Sequence, residues 1–279
     1  MKVLKKIVSL GILSCLAAVA VQAENIAVSF TQENHKQPET EEITTNIYIA
    51  GEKVKGEVEG EDSYFIFDGD KEVIWLVDTK RKKFTEIDKQ LIDDIRSTIE
   101  KMEKQLKSMP PTQRAMAENM MKQQMKKHGI ATEKDDADWE YKPTSETETI
   151  SDYSCEKMEV IKDSSKVRDV WTTEWKNIEY RDELETAFDS LFDFVNSLRE
   201  VLNDDKYASY LNVISMPGDP SVTDKLSGMP ISAIQFADDG KKIYTNTLQY
   251  IEARDLSESD FRPPDDYQRE KPEMPKMSQ

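Results

Sequence analysis

The fold is decided by an alternation of apolar and polar residues, which is clearest in residues 44–59, TTNIYIAGEKVKGEVE. Apolar side chains recur at every second position on both sides of Gly51, as at Ile47, Ile49 and Val54. Successive side chains of a β-strand point to opposite faces, so this period of two predicts strands with one buried face. Because a parallel crossover needs about a dozen residues or more, strands this close in sequence must be antiparallel.

The same pattern extends through much of the chain. Further strands are predicted at Ser63–Phe67, Val73–Val77, Lys83–Ile87, Tyr153–Lys162, Val167–Trp175, Met229–Phe236 and Lys241–Glu252. The last two flank Asp239-Gly240, a strong hairpin signal. Residues 133–148 are acidic and poor in apolar side chains, which predicts a loop. From Arg262 the chain is Pro-rich and charged, which predicts a frayed tail over residues 262–279.

Two regions change to the period of a helix. Apolar residues recur at spacings of three and four from Leu91 to Met109, with Asp88 as the N-cap and Pro110-Pro111 as the stop. A second helical segment is predicted to run from Thr112 to Lys127. Tyr180–Leu202 has one wide apolar face and is the clearest helix in the chain.

These elements predict one α+β domain over residues 24–261. No repeat of fixed period and no linker between two cores interrupts it. We expect an antiparallel sheet of about eight to ten strands with the helical insertions packed on one face.

The first 23 residues, MKVLKKIVSLGILSCLAAVAVQA, have the layout of a cleavable signal peptide. Three lysines precede an apolar run from Ile7 to Val21 of about 15 residues, shorter than the roughly 20 that span a bilayer. Small residues at Val21 and Ala23 suit a signal-peptidase site, which predicts cleavage before Glu24. We therefore expect an exported protein, located in the periplasm, with no membrane span in the mature chain.

Composition argues against two classes of partner. The 279 residues carry 55 acidic and 38 basic side chains, a formal net charge of −17, and the mean hydropathy is −0.70. Removal of the three signal-peptide lysines would bring the charge to about −20. A chain this negative repels nucleic-acid phosphate and anionic lipid surfaces. We expect it to bind neither.

Signatures of catalysis are missing. The sequence has no G-x-S-x-G, G-x-x-x-x-G-K-[ST], G-x-G-x-x-G or H-E-x-x-H motif. His35 and His128 lie far apart in sequence, and neither adjoins a Ser or Cys. Cys155 would be the sole cysteine of the mature chain, and the neighbouring Asp152 and Glu156 disfavour its thiolate. We expect Cys155 to be a buried strand residue, and the protein to be neither an enzyme nor dependent on a cofactor.

A methionine-rich stretch is the one unusual cluster. It contains six of the 12 methionines: Met102, Met109, Met116, Met120, Met121 and Met125. Met121, Met125 and His128 share a helix face, and their thioether and imidazole groups suit the soft ion Cu(I). Two other interpretations stay open: ordinary packing of an adaptable side chain, and contact with apolar ligands.

Several segments resemble a known family. They are Asp152–Val160 (DYSCEKMEV), Val167–Trp175 (VRDVWTTEW), Leu226–Lys241 (LSGMPISAIQFADDGK), Asp260–Glu270 (DFRPPDDYQRE) and Met109–Met121 (MPPTQRAMAENMM). Together they resemble a bacterial family of exported proteins with a domain of unknown function, similar in fold to the LolA-like lipoprotein-carrier half-barrel. The resemblance implies a curved antiparallel sheet with helices across its concave side, where carriers hold acyl chains. The family has no established activity, so the resemblance implies no catalytic residue.

The leading hypothesis is a non-enzymatic periplasmic binding or accessory protein with an apolar ligand, such as a lipid or lipoprotein acyl chain, beneath its helices. Candidate lining residues are Trp75, Met102, Leu106, Met109, Trp171, Phe188 and Phe192. The alternatives are a Cu(I) binder using Met121, Met125 and His128, and a structural or interaction module for an unidentified envelope protein. Ligand, partner and oligomeric state are not determined by the sequence.

Overall fold

The computed structural model describes residues 25–37, 42–116, 138–202 and 228–271. The strands are β1 (Ile26–Asn34), β2 (Ile43–Ala50), β3 (Lys53–Val58), β4 (Ser63–Asp68), β5 (Val73–Asp78), β6 (Lys83–Asp88), β7 (Trp139–Ile150), β8 (Tyr153–Lys162), β9 (Ser165–Thr173), β10 (Met229–Phe236), β11 (Lys242–Ala253) and β12 (Gln268–Glu270). Helix α1 is Lys89–Ser108 and helix α2 is Arg181–Leu202.

All twelve strands belong to one open sheet in the order β12-β6-β5-β4-β3-β2-β1-β11-β10-β9-β8-β7. It consists of two meanders, β1 to β6 and β7 to β11, joined where β1 pairs antiparallel with β11. The predicted α+β class, a half-barrel-like antiparallel sheet with helices packed across one face, is confirmed. The described residues form more strands than the expected eight to ten, because β1, β7 and β12 are not among the strands named from the sequence.

Two local predictions were wrong. The acidic stretch placed in a loop forms most of β7, because its backbone pairs with β8 along the edge of the sheet while its side chains face water. The tail expected to fray from Arg262 continues in regular contact with the sheet to Lys271, because β12 pairs in parallel with β6. Residues 272–279 lie outside the described residues.

Helix α1 begins and ends as its sequence predicts. The Asp88 carboxylate accepts a hydrogen bond from the Leu91 backbone N–H at 2.8 Å, which caps the first turn. The helix ends at Ser108, just before the Pro-Pro pair. The guanidinium of Arg114 then donates to the Leu106 carbonyl oxygen at 2.9 Å, which satisfies an acceptor that the helix end leaves open. Residues 111–116 are helical, and the rest of the second predicted helical segment lies outside the described residues.

Helix α2 forms the second layer of the main core. Its buried side chains are Leu184, Ala187, Phe188, Leu191, Phe194 and Val195. They pack with strand residues that include Ile47, Phe67 and Ile74, on the side of the sheet that we call the helix face. The Phe67 and Phe194 ring centroids lie 5.6 Å apart, so an aromatic pair joins the helix to the sheet.

The opposite side of the sheet, the outer face, carries a second apolar cluster. Ile66, Val73, Trp75, Val77 and Phe261 are buried in it. Phe261 belongs to residues 254–271, which leave β11 and cross the outer face to reach β12. Seven strand spacings, about 34 Å, separate β11 from β12 in the sheet. The fourteen residues 254–267 between these strands can extend to about 46 Å, which is enough to span that distance. We call residues 254–271 the C-terminal strap.

Candidate functional site

The candidate site is the part of the helix face where α1, α2 and β6 meet. Helix α1 packs against α2, and it directly follows β6, so its last turns, with buried Leu106, lie about 26 Å along the helix axis from β6. Leu76 of β5, Ile87 of β6 and Phe192 of α2 lie half-buried against the main core. We call Leu76, Ile87 and Phe192 the α1–α2 corner. It is a place where apolar side chains of both layers remain partly open to solvent.

Polar contacts at the end of the sheet fix the middle of α2. Ser190 donates from Oγ to the Glu52 carboxylate at 3.0 Å, in the turn between β2 and β3. The helix also contacts the short 3-10 turn Gly69–Lys71 between β4 and β5. Asp68 precedes that turn, and its buried carboxylate accepts from the Lys71 backbone N–H at 3.2 Å. Helix α2, one wall of the corner, is therefore joined to the sheet by a polar contact as well as by its buried apolar side chains.

Of the side chains predicted to line a ligand site, Phe188 and Phe192 lie on α2, Leu106 lies on α1, and Met109 directly follows α1. Phe188 is buried in the helix-face core, and its ring centroid is 6.2 Å from that of Phe192. Leu106 is buried in the last turns of α1, and Met109 is half-buried just after the helix ends. Met102 also lies in α1, but its side chain is outside what the structure describes.

Trp75 is not on the helix face. Ile74 and Leu76 point toward α2, so the alternation of β5 turns Trp75 to the outer face, where it packs with Ile66 and Phe261. Its indole N–H donates to Glu86 at 3.0 Å. The structure therefore does not bring Trp75 together with the other candidate lining residues.

Trp171 belongs to the main core but lies beside a network of charges. The Lys157 ammonium is 5.8 Å from the Trp171 ring centroid and donates to Glu146 at 2.6 Å. The buried Asp169 carboxylate is 3.2 Å from the Lys166 ammonium, and 3.9 Å from that of Lys157. The Lys166 contact to Asp169 Oδ1 is close in distance but lacks hydrogen-bond geometry. This end of the core is polar, unlike the α1–α2 corner.

The soft-metal hypothesis falls on residues outside the described ranges, since Met121, Met125 and His128 all lie there. It stays a prediction. Among the His, Cys, Asp and Glu side chains that the structure describes, no three are grouped to hold a metal ion.

Cys155 is fully buried in β8, where its thiol donates to the Tyr153 carbonyl oxygen at 3.4 Å. Burial, and to a lesser degree the Glu148 carboxylate, raises the pKa of the Cys155 thiol. A thiol with this environment is a packing residue rather than a nucleophile.

Sequence reasoning missed Leu76 and Ile87 of the corner. Part of the signal was present, because Leu76 alternates with Trp75 along the strand, whereas the pairing of Ile87 with Ile74 is known only from the structure. What the sequence lacked was any indication of which face the helices would cover. Over the described ranges, no helix combines the length and apolar character needed to cross a bilayer.

Comparison with known proteins identifies no family. No family model matches the chain, and no curated protein matches its sequence. Membership of the exported family that the sequence resembles is therefore not confirmed.

Solved structures do match in outline. An uncharacterized conserved protein from Thermus thermophilus is 6% identical with a TM-score of 0.42, over 90% of this chain and 91% of that chain. The complex of MucA and MucB from Pseudomonas aeruginosa matches with 8% identity and a TM-score of 0.34, over 88% of this chain and 58% of that one. A LolA-superfamily protein from Nitrosomonas europaea gives 8% identity and a TM-score of 0.24, over 87% and 91% of the two chains. Likeness at this level establishes neither a shared family nor a shared function.

Proposed function

We propose that the chain is an exported, non-enzymatic binding or accessory protein that accommodates an apolar ligand at the α1–α2 corner. The ligand class is a flexible hydrocarbon, such as the acyl chain of a lipid or lipoprotein. The observation that carries the proposal is the half-buried state of Leu76, Ile87 and Phe192 against the helix-face core. Apolar side chains at such a boundary gain free energy when a ligand removes them from water.

The two walls of the corner differ in how firmly they are held. Helix α2 is fixed by fully buried leucines and by the Ser190–Glu52 hydrogen bond. Helix α1 contacts α2 and β6, and its apolar stripe includes Leu106. A small outward movement of α1 away from α2 would admit a chain of methylene groups between the two helices.

The test is a titration of the full chain with a fluorescent fatty-acid probe. Phe192→Ala removes an aromatic contact from the corner, and we expect at least about a tenfold loss of probe affinity from the lost apolar area. Ile251→Ala is the matched control, because Ile251 is half-buried against the same core but belongs to β11, far from β5 and β6 in the sheet. Equal affinities for the two variants would place the ligand elsewhere, and no probe binding to the native chain would end the proposal.

Export is tested separately. An intact-mass measurement of chain recovered from the periplasm of an expressing cell should show a mature form that begins at Glu24. Recovery of the uncleaved chain from the cytoplasm alone would contradict this part of the proposal.

A further inference from the structure

The C-terminal strap is held by contacts of a different kind from those of the rest of the sheet. Strand β12 has three paired residues, Gln268 to Glu270, and among the described strands it is the one that runs parallel to its neighbour. In the strap's span from residue 257 onward, the fully buried side chain is that of Phe261, which is 2% exposed. Leu256 and Tyr267 lie half-buried against the same outer-face cluster, so the strap is anchored by Phe261, by these two side chains and by a very short strand.

Ion pairs with the sheet supply further contacts of the strap, beside backbone hydrogen bonds from Arg254 to Asn25 and from Gln268 to Lys82. Glu258 accepts from Lys53 at 2.8 Å, Asp266 from Lys82 at 2.9 Å, and Glu270 from Lys83 at 2.9 Å. In each pair at least one partner is largely or partly exposed to water. Exposed pairs of this kind hold weakly and are screened by salt.

The surface beneath the strap is basic and apolar, whereas the strap contributes acidic side chains to it. Lys80, Arg81, Lys82 and Lys83 are four consecutive cations in a chain of net charge −17, and they lie at the turn into β6. The carboxylates that pair with Lys82 and Lys83 come from the strap. Beside them on the outer face are Ile66, Trp75 and Val77, which the strap helps to cover. A strand edge, an apolar face and a basic turn therefore adjoin one another.

We propose that this surface is a binding site for an extended peptide with an aromatic anchor followed by acidic residues, and that the strap occupies it in cis. The strap itself shows the required chemistry: Phe261 enters the Trp75 cluster, Asp266 and Glu270 neutralise the basic turn, and a short segment pairs with β6. Addition of a strand to a sheet edge is an established mode of peptide recognition.

The apolar face makes exchange, rather than simple opening, the expected process. If the strap left without a replacement, the buried side chains of Ile66, Trp75 and Val77 would face water together with a free strand edge. A partner peptide would cover both. This site is on the opposite side of the sheet from the α1–α2 corner, so the inference does not depend on the proposed apolar ligand.

The test uses the full chain and a fluorescent peptide with the sequence of residues 258–271, ESDFRPPDDYQREK. Asp266→Lys reverses the charge that pairs with Lys82, and Asp265→Lys is the matched control, since Asp265 is 86% exposed at its side chain and pairs with Arg262 of the strap itself at 3.7 Å. By fluorescence anisotropy, Asp266→Lys should bind the peptide at least about tenfold more tightly than the native chain or the control. A peptide in which Ala replaces Phe261 should bind neither the native chain nor either of the two variants.

Equal peptide binding by the Asp266→Lys and Asp265→Lys chains would overturn the proposal. A second measurement, on the native chain, decides the matter should the variant not fold. Hydrogen exchange at Gln268, Arg269 and Glu270 should occur by local opening, well before exchange in β4 and β5. Strap amides that exchange only with global unfolding would show a permanent part of the fold, which also refutes the inference.

Discussion

Gly56 of β3 gives the sharpest quantitative prediction, because the ring of Phe65 lies directly over it on the helix face. A methyl group added at Gly56 would lie 2.7 Å from Phe65 Cζ and 3.0 Å from Cδ1, well inside van der Waals contact. Phe65 is opposite Gly56 in the β3–β4 register and is 4% exposed, so its ring has little room to move. Overpacking of this kind costs about 1–3 kcal/mol, and the lower chain entropy of Ala returns roughly 0.5 kcal/mol.

We therefore expect Gly56→Ala to lower the free energy of unfolding by about 1–2 kcal/mol, measured by urea denaturation with an unchanged m-value. Phe65→Leu should itself cost on the order of 1–2 kcal/mol through lost apolar contact. In the double variant the clash is gone. The double variant should therefore lose at least about 1 kcal/mol less free energy of unfolding than the sum of the losses in the two single variants.

Gly51 supplies the control for this experiment. It has a φ of +60° and open space around its Cα, so Gly51→Ala is strained by its backbone rather than by a neighbour. Its cost, about 1 kcal/mol, should not change when Phe65 is Leu. A neutral Gly56→Ala variant, or full additivity with Phe65→Leu, would refute the packing described for the helix face.

Three further predictions concern local interactions. Asp88→Ala should cost about 1 kcal/mol in urea denaturation, because it removes the N-cap of α1; an unchanged midpoint would contradict the cap. Cys155 should react with an alkylating reagent far more slowly in the folded than in the unfolded chain, since burial both hides the thiol and raises its pKa; comparable rates would argue against this burial. Burial raises the pKa of Tyr48 and of Tyr64 to about 12, so the neutral phenols stabilise the fold below pH about 10, and that contribution is lost as the pH rises toward 12. Tyrosinate absorbance followed through alkaline unfolding measures it, and titration of all tyrosines near pH 10 would be the contrary result.

The elements that the sequence predicted correctly are those with a strong period. Helix α2 follows from one wide apolar face, and α1 from its stripe between Asp88 and the Pro-Pro pair. Turn chemistry helped as well, since Gly240 has a φ of +79° at the β10–β11 hairpin where Asp-Gly predicted a turn. Such signals are local and need no knowledge of the rest of the chain.

Strand β7 was missed because its stability is not local. Its side chains are mostly exposed, and the strand exists because its backbone pairs with β8. Strand β12 was missed for a related reason, since a proline-rich charged segment became ordered through Phe261 and through pairing with β6. Tertiary contacts of this kind leave little mark on periodicity.

The position of Trp75 shows the other limit. Val73–Val77 is a continuous apolar run, typical of a strand that is buried on both faces. The run could not reveal which face the helices cover, because the C-terminal strap buries the other one. The structure thus separates Trp75 from the candidate lining residues on the helices, whose role as a ligand site stays a prediction.

Native mass spectrometry of the full chain, purified without detergent, tests the central claim of an apolar ligand at the α1–α2 corner most directly. We predict a complex whose extra mass is released as a hydrocarbon-bearing molecule, and whose occupancy falls in Phe192→Ala while it is retained in Ile251→Ala. A native chain that carries no added mass, and takes up no fatty acid supplied in excess, would contradict the claim.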